Sequence, residues 1–321
     1  MTDFLPLLEN RLQQLPLGQQ PPNLYDPIRY ILSLGGKRLR PMLVLLGYAL
    51  KENDPESIVD QALAVEVFHN FTLMHDDIMD EAPLRRGQPT VHEKWNRTVA
   101  ILSGDTMMVK AYDLLLKTSA DLLPTAIEKF NKCAIEVCEG QQLDMNFETE
   151  EFVSEGQYIE MIRLKTAVLL GFSLEYGGLL ARMDEGEQSQ LQQIGEKAGI
   201  GFQLMDDLLD VYGDQRKFGK QVGGDIVSNK KTYLLIKALE LANTTQKSEL
   251  NSWLSKTDFD NAEKVEAIKN IYQEIGIHEL TQVKMNSYYD QAFNLLENLQ
   301  TQEKGKTQLI DFFHSLMKRD T

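Results

Sequence analysis

Apolar residues recur along this chain at spacings of three and four, not two. Leu63, Val67, Phe71, Met74 and Ile78 form one such series, and Leu191, Ile194, Ala198 and Phe202 another. That period belongs to amphipathic helices. Short alternating runs and the Asn-Gly and Asp-Gly dipeptides that announce β-hairpins are missing from the sequence. All ten prolines fall at or before position 124. The tract beyond them can therefore form long helices, because proline breaks helix interiors. The pattern predicts an all-α chain of about a dozen helices. Breaks are expected near 16–27, 33–36, 82–90, 117–124, 148–156, 183–187, 213–229, 243–248, 255–261 and 301–307. No composition shift, Ser/Gly-rich linker or repeat of 20–50 residues divides the chain, so one helical domain spanning 1–321 is expected.

Composition narrows the class of function. With 33 Lys+Arg against 48 Asp+Glu the formal charge is −15, which excludes a nucleic-acid binder built on phosphate neutralisation. A chain 42% hydrophobic and 25% charged is globular, not disordered. The N-terminal stretch MTDFLPLLENRLQQLP has neither a basic region nor a continuous apolar core, and no run approaches a membrane span. Cys133 and Cys138 are five apart, which is neither a zinc nor a redox spacing. They are expected to be reduced, buried, inert thiols in a cytoplasmic protein.

The chemistry concentrates in two helical segments, 57–81 and 187–212. Each carries Asp-Asp-x-x-Asp: Asp76, Asp77 and Asp80 in LMHDDIMDEAPLRRG, then Asp206, Asp207 and Asp210 in GFQLMDDLLDVYGD. One such pattern is within reach of chance; the duplication is the specific signal. On a helix, positions i and i+4 lie about 5–6 Å apart on one side, so Asp76 and Asp80 share a face, as do Asp206 and Asp210. Like charges so placed destabilise a helix unless cations repay them. All-oxygen ligation without Cys or clustered His selects a hard ion such as Mg²⁺. The plain alternative is a solvated acidic face, against which stands the apolar sequence around both motifs, suited to carboxylates lining a cleft between helices. An EF-hand is excluded because its loop glycine and D-x-D spacing are absent. Mg²⁺ held by few carboxylates completes its shell with waters and phosphates, so a phosphorylated substrate is expected. Anion-binding residues accompany the aspartates: Gly35-Gly36-Lys37-Arg38-Leu39-Arg40-Pro41 and Arg85-Arg86-Gly87. Each alone reads equally as a basic turn, but Gly admits close backbone approach and Arg offers bidentate forks to phosphate.

In this order, GGKRLRP, FHNFTLMHDDIMDEAPLRRGQPT, the KT of IRLKTAVLLG, GFQLMDDLLDVYGD, GK and NKKT resemble the trans-isoprenyl diphosphate synthases, or polyprenyl synthetase family. The resemblance implies a single large helical bundle of the isoprenoid synthase type, with a central cavity between the helices bearing the two motifs. It implies an allylic diphosphate that ionises and is attacked by isopentenyl diphosphate. It also implies up to three Mg²⁺ ions with the allylic diphosphate bound, and a homodimer. By matching positions, Asp76, Asp80 and Asp206 would be the principal metal ligands, with Asp77, Asp207 and Asp210 supporting them. Arg85, Lys165, Thr166, Gln203, Lys220 and Lys230 match the allylic diphosphate site, and Lys165 and Lys220 join Asp76, Asp80 and Asp206 as the catalytic set. Lys37, Arg40, His69 and Arg86 match the isopentenyl diphosphate site. Gln141 and Asp144 match a further family segment. Read alone, Lys165-Thr166 would be a surface pair, Gln203 a locally bonded polar residue and His69 a core histidine.

An aromatic five residues before the first Asp goes with short products in the family. Phe71, with small Thr72 beside it, fits an enzyme making the C20 product, geranylgeranyl diphosphate, with C15 farnesyl diphosphate the alternative; Phe71 as ordinary core is the structural reading. Remoter readings are an HD-type phosphohydrolase, suggested by His75-Asp76, and a non-catalytic subunit of a heteromeric synthase. Scattered histidines weigh against the first, and two intact aspartate motifs against the second. A terpene cyclase would have no use for Lys37, Arg40 and Arg86. The chain departs from the family at Ser228-Asn229-Lys230-Lys231-Thr232, where Gly often precedes the lysine pair and Pro follows it. That leaves the loop geometry near Lys230 open. The basic end, 317–321, is read as solvated in preference to folding over a cleft.

Overall fold

Some helix starts in this chain are set by local side-chain chemistry. The structure, a computed structural model, describes residues 4–213 and 223–318. Lys220 and the last three residues lie outside the described residues. In chain order the elements are α1 (Leu5–Gln13), α2 (Pro22–Ser33), α3 (Leu39–Ala49), a 3-10 turn (Pro55–Ile58), α4 (Val59–Met79), β1 (Leu84–Arg85) and β2 (Gln88–Pro89). There follow α5 (Val91–Lys94), α6 (Arg97–Leu115), α7 (Leu123–Thr149), α8 (Glu155–Ile162), a π turn (Arg163–Ala167), α9 (Val168–Leu180) and α10 (Glu185–Tyr212). The last are α11 (Gly224–Val227), α12 (Tyr233–Leu241), α13 (Thr244–Ser255), α14 (Asn261–Ile275), α15 (Ile277–Glu297) and α16 (Glu303–Met317). The chain is all-α, with more helices than the dozen expected.

Several of the expected breaks coincide with caps. Ser154 and Gln157 form a reciprocal capping box at the start of α8, Asn243 and Gln246 do the same for α13, and Asp260 accepts from the Glu263 N–H at 3.0 Å to start α14. Each such cap is worth about 1 kcal/mol. Three expectations need correction. The first break ends at Pro21, not near 27, because Pro22 takes the first helical position, where a missing N–H costs nothing. Pro27 then lies inside α2, in its second turn, where it cannot donate the helical bond to the Asn23 carbonyl. Secondly, Gly276, in the left-handed conformation with φ 80°, splits 261–297 into α14 and α15. Thirdly, a hairpin does exist: Leu84 pairs with Pro89 and Arg85 with Gln88. Its turn residues Arg86 and Gly87 have φ of 53° and 73°, the positive pair of a type I′ turn. Arg-Gly occupies the place where Asn-Gly is the usual signal.

The chain divides into two compact units. The first runs to Lys132 and adds Phe172–Gln192 and Leu299–Asp311. Within it α4 is the buried element. Every residue from Ala62 to Phe68 is buried, Glu66 included, so this half of the helix is enclosed all round and is not merely striped. From Phe71 onward burial relaxes, until Met79 and Asp80 are exposed. The acidic motif thus occupies the end of α4 that emerges from the core.

The second unit holds Cys133–Gly171, Gln193–Asn298 and a stretch from Phe312. One of its cores gathers Leu208 and Val211 of α10, Ile226, Leu234, Leu250, Trp253, Ile268 and Tyr272. This packing fixes the C-terminal half of α10, which bears the second motif. On α7, Cys133 is buried but Cys138 is exposed. The expectation of two buried thiols therefore fails for Cys138, since five helical positions carry it about 140° around the axis from Cys133.

Candidate functional site

In the first unit the acidic motif divides by accessibility. Asp76 is half-buried and Asp80 exposed, whereas Asp77 is only 2% exposed. The Asp80 N–H donates to the Asp76 carbonyl at 2.8 Å. That helical bond keeps Asp76 and Asp80 on one side. Asp77 points elsewhere and takes a fork from Arg85, whose Nε and Nη2 donate to its carboxylate at 2.7–2.9 Å. A bidentate pair of this kind anchors the hairpin to α4.

The basic residues of the first unit converge on His69. Arg40 Nη1 lies 3.0 Å from His69 Nε2, and a guanidinium can only donate, so that nitrogen is the acceptor and the imidazole is neutral with its proton on Nδ1. Burial, followed by the charges of Arg40, Arg85, Arg86 and Arg38, pushes its pKa well below the usual value. Arg86 donates to the Gly35 carbonyl, and a Cβ on Gly36 would fall 2.9 Å from its Nη2, so that the guanidinium would have to shift. Lys37 is exposed and Arg40 half-buried. Arg40, His69 and Arg86 are thus brought together by the start of α3, α4 and the hairpin tip, while Lys37 stands exposed on the glycine loop.

Arg38, which the sequence places in the anion-binding glycine loop, is instead committed to the protein's own carboxylates. Its side chain is fully buried, with Nη1 on Glu66 at 2.6 Å, Nε on Glu9 at 2.7 Å and Nη2 on the Leu32 carbonyl at 2.8 Å. Its φ of 48° turns it inward between Lys37 and Arg40. Phe71 is half-buried, edge-on to His75 with ring centres 4.8 Å apart and 5.7 Å from Phe68. The Thr72 hydroxyl donates back to the His69 carbonyl at 2.8 Å.

The second unit repeats the division. Asp206 and Asp210 are half-buried, and Asp207 is 4% exposed. Asp207 accepts from the buried Tyr158 hydroxyl and, at 3.1 Å, from Gln203 Nε2, while Gln203 Oε1 accepts from Thr166 Oγ1 at 3.1 Å. Burial, with the nearby charge of Asp225, pushes the Asp207 carboxyl up to about 8 against the two hydrogen bonds. Asp210 Oδ2 accepts the Asp225 N–H at 3.0 Å, tying the start of α11 to the motif. Tyr158 and Asp225 are residues the sequence reading missed; Tyr158, seven positions before Lys165, carries no motif that would single it out.

Lys165 and Thr166 sit on the π turn, a device often found at functional sites. Gly140 of α7 makes room for it, because a Cβ there would lie 2.2 Å from the Lys165 nitrogen. Asp144, one turn along α7, receives Lys165 Nζ at 2.6 Å and lies 3.3 Å from Lys230 Nζ. Against the burial that raises it, these two ammonium groups hold the Asp144 carboxyl below its usual range. Gln141 is buried on the same helix. Thr166, Gln203, Lys165 and Lys230 are therefore grouped with the second motif.

A family model described as polyprenyl synthetase matches residues 21–275. The geranylgeranyl pyrophosphate synthase of Geoglobus acetivorans is 36% identical over 320 residues, covering 99% of this chain and 98% of its own. A crystal structure of a geranylgeranyl pyrophosphate synthase matches with a TM-score of 0.92 at 43% identity, over 99% of both chains. That of the geranylgeranyl pyrophosphate synthase from Corynebacterium glutamicum, complexed with isoprenyl diphosphate and magnesium, matches with a TM-score of 0.87 at 27% identity, again over 99% of both.

Proposed function

The chain belongs to the polyprenyl synthetase family, and from that premise we infer that it is a prenyltransferase that joins isopentenyl diphosphate head-to-tail to an allylic diphosphate, with the all-trans C20 compound geranylgeranyl diphosphate as product. The observation that carries this reading is the repeated division of labour in the two motifs. In each, the outer aspartates are accessible and the middle one is buried and satisfied by its own partners. Accessible carboxylates one helical turn apart suit Mg²⁺, which keeps waters and substrate oxygens in its shell. Asp76, Asp80, Asp206 and Asp210 would hold the metal, up to three ions with the allylic diphosphate bound. When bound, Mg²⁺ supplies charge neutralisation at the departing diphosphate.

The chain's own groups do the rest. Lys165 and Lys230, aimed by Asp144, present fixed cations to the leaving diphosphate, and fixed charge of this sort lowers the barrier to charge separation without reorganisation. Thr166 and Gln203 orient Asp207 and, through it, the second motif. Arg85 steadies the hairpin through Asp77 and offers the remainder of its guanidinium to the allylic diphosphate; Lys220 is assigned there by the resemblance alone. Lys37, Arg40 and Arg86, with neutral His69 holding Arg40, receive isopentenyl diphosphate without metal. No helix among the described residues is long and apolar enough to cross a membrane, and we propose a cytoplasmic homodimer with no nucleic-acid partner.

Incubating the purified protein with Mg²⁺, isopentenyl diphosphate and each of the C5, C10 and C15 starters, followed by chromatography, tests the assignment. All-trans C20 product is expected; diphosphate release at the full rate without isopentenyl diphosphate would instead mark a hydrolase. Phe71 is the proposed floor for the growing chain. Phe71→Ala is expected to shift the main product upward by one isoprene unit or more, since one unit is about as long as one helical turn. An unchanged product distribution would return Phe71 to ordinary core.

A further inference from the structure

Within the second unit, the loop that carries Lys230 is held from below by a residue that no motif includes. Lys264 of α14 has no exposed surface. Its Nζ donates to Asn229 Oδ1 at 2.6 Å and to the Val227 carbonyl at 3.1 Å, and lies 4.2 Å from the centre of the Phe259 ring. These partners are all neutral. A lysine buried without a carboxylate is costly, and among the described residues the side-chain contacts of Lys264 go to the segment leading into Lys230 or to the ring that roofs it. Asn229 is itself clamped: φ is 57°, a region Asn tolerates better than most residues, and its Nδ2 donates to the Leu254 carbonyl at 3.0 Å. The next residue, Lys230, has its backbone N–H on the Asp225 carbonyl at 2.9 Å and its Nζ 3.3 Å from Asp144. Asn229 stands where relatives of this type often have Gly. A glycine would supply the conformation but no side-chain oxygen for Lys264.

We propose that Lys264 is a positioning residue for the allylic diphosphate site: through Asn229 and the Val227 carbonyl it fixes the turn from which Lys230 reaches the substrate. The inference rests on the assignment of Lys230 to that diphosphate. Lys264→Met keeps the stem and removes the donor. It is expected to raise the KM for the allylic diphosphate about tenfold, the loss of a charge-assisted hydrogen bond, while leaving the KM for isopentenyl diphosphate and the far-ultraviolet circular dichroism unchanged. Asn229→Gly, which keeps the positive φ and removes the acceptor for Lys264 together with the Nδ2 bond to the Leu254 carbonyl, is expected to act in the same direction, and carries the test alone if Lys264→Met does not fold.

Neither substitution should add to the effect of Lys230→Ala when combined with it. If Lys230→Ala raises the allylic KM but Lys264→Met or Asn229→Gly raises it further by the same factor in that background, Lys264 acts on general stability and the inference is overturned. Equal changes in both KM values would overturn it likewise. If Lys230→Ala leaves the allylic KM unchanged, the assignment of Lys230 fails first, and the role of Lys264 falls with it.

Discussion

Asp76→Ala is expected to leave the protein folded and to lower kcat/KM for the allylic diphosphate at least about a hundredfold, the scale of losing one fixed group at a site of developing charge. Asp77→Ala, one position away, is expected to do something different. Asp76 is half-buried beside Asp80 at the emerging end of α4, so its removal relieves like-charge crowding. Asp77 is 2% exposed and holds the Arg85 fork, so its removal strands a guanidinium. Breaking a fully buried pair costs about 3–5 kcal/mol, but Arg85 retains 22% side-chain exposure, and solvent reduces the loss to about 2 kcal/mol. Urea titration of the two variants, alongside steady-state kinetics, separates the roles. A destabilised Asp76→Ala with normal kinetics, or a fully stable Asp77→Ala, would contradict the division between outer and middle aspartates.

The same division shows what could be read in the sequence and what could not. The Asp-Asp-x-x-Asp spacing is a linear pattern, and helical periodicity places its first and last members on one face. Which member turns inward depends on the partner: Arg85 comes from the first strand of a hairpin eight residues on, and Tyr158 from a helix 49 residues away in sequence. The breaks expected near 148–156, 243–248 and 255–261 contain the caps Ser154, Asn243 and Asp260, because a cap is a short-range event. The π turn at Arg163–Ala167 was not, since it arises where α7 comes close at Gly140. Among the three cations of the first basic cluster, Lys37 and Arg40 were assigned to a substrate and Arg38 was not. Nothing in a run of adjacent basic residues says which one meets Glu9 and Glu66; that is decided by the left-handed backbone at Arg38.

Arg38 is accordingly the position where a single change should cost the most stability. Arg38→Met preserves much of the side-chain volume but leaves the Glu66 carboxylate, 2% exposed, without its cation. Asn70 Nδ2, at 2.9 Å from Glu66 Oε1, is a neutral donor and cannot replace it. An uncompensated buried charge of this kind is worth about 3–5 kcal/mol, a large share of the stability of an ordinary domain. The mechanism makes a second, sharper demand. If the loss comes from the stranded charge and not from missing contacts, then Arg38→Met combined with Glu66→Gln should recover most of it, because removing both charges leaves only hydrogen bonds to Leu32 and Glu9 unmade. Recovery to within about 1 kcal/mol of the parent is expected in urea denaturation. A double variant no more stable than Arg38→Met would locate the energy in packing around the guanidinium instead. The kinetic consequence follows from chain connectivity: Arg38 is the buried pivot between Lys37 and Arg40, so the repaired double variant should still show a raised KM for isopentenyl diphosphate, with the KM for the allylic diphosphate close to that of the parent.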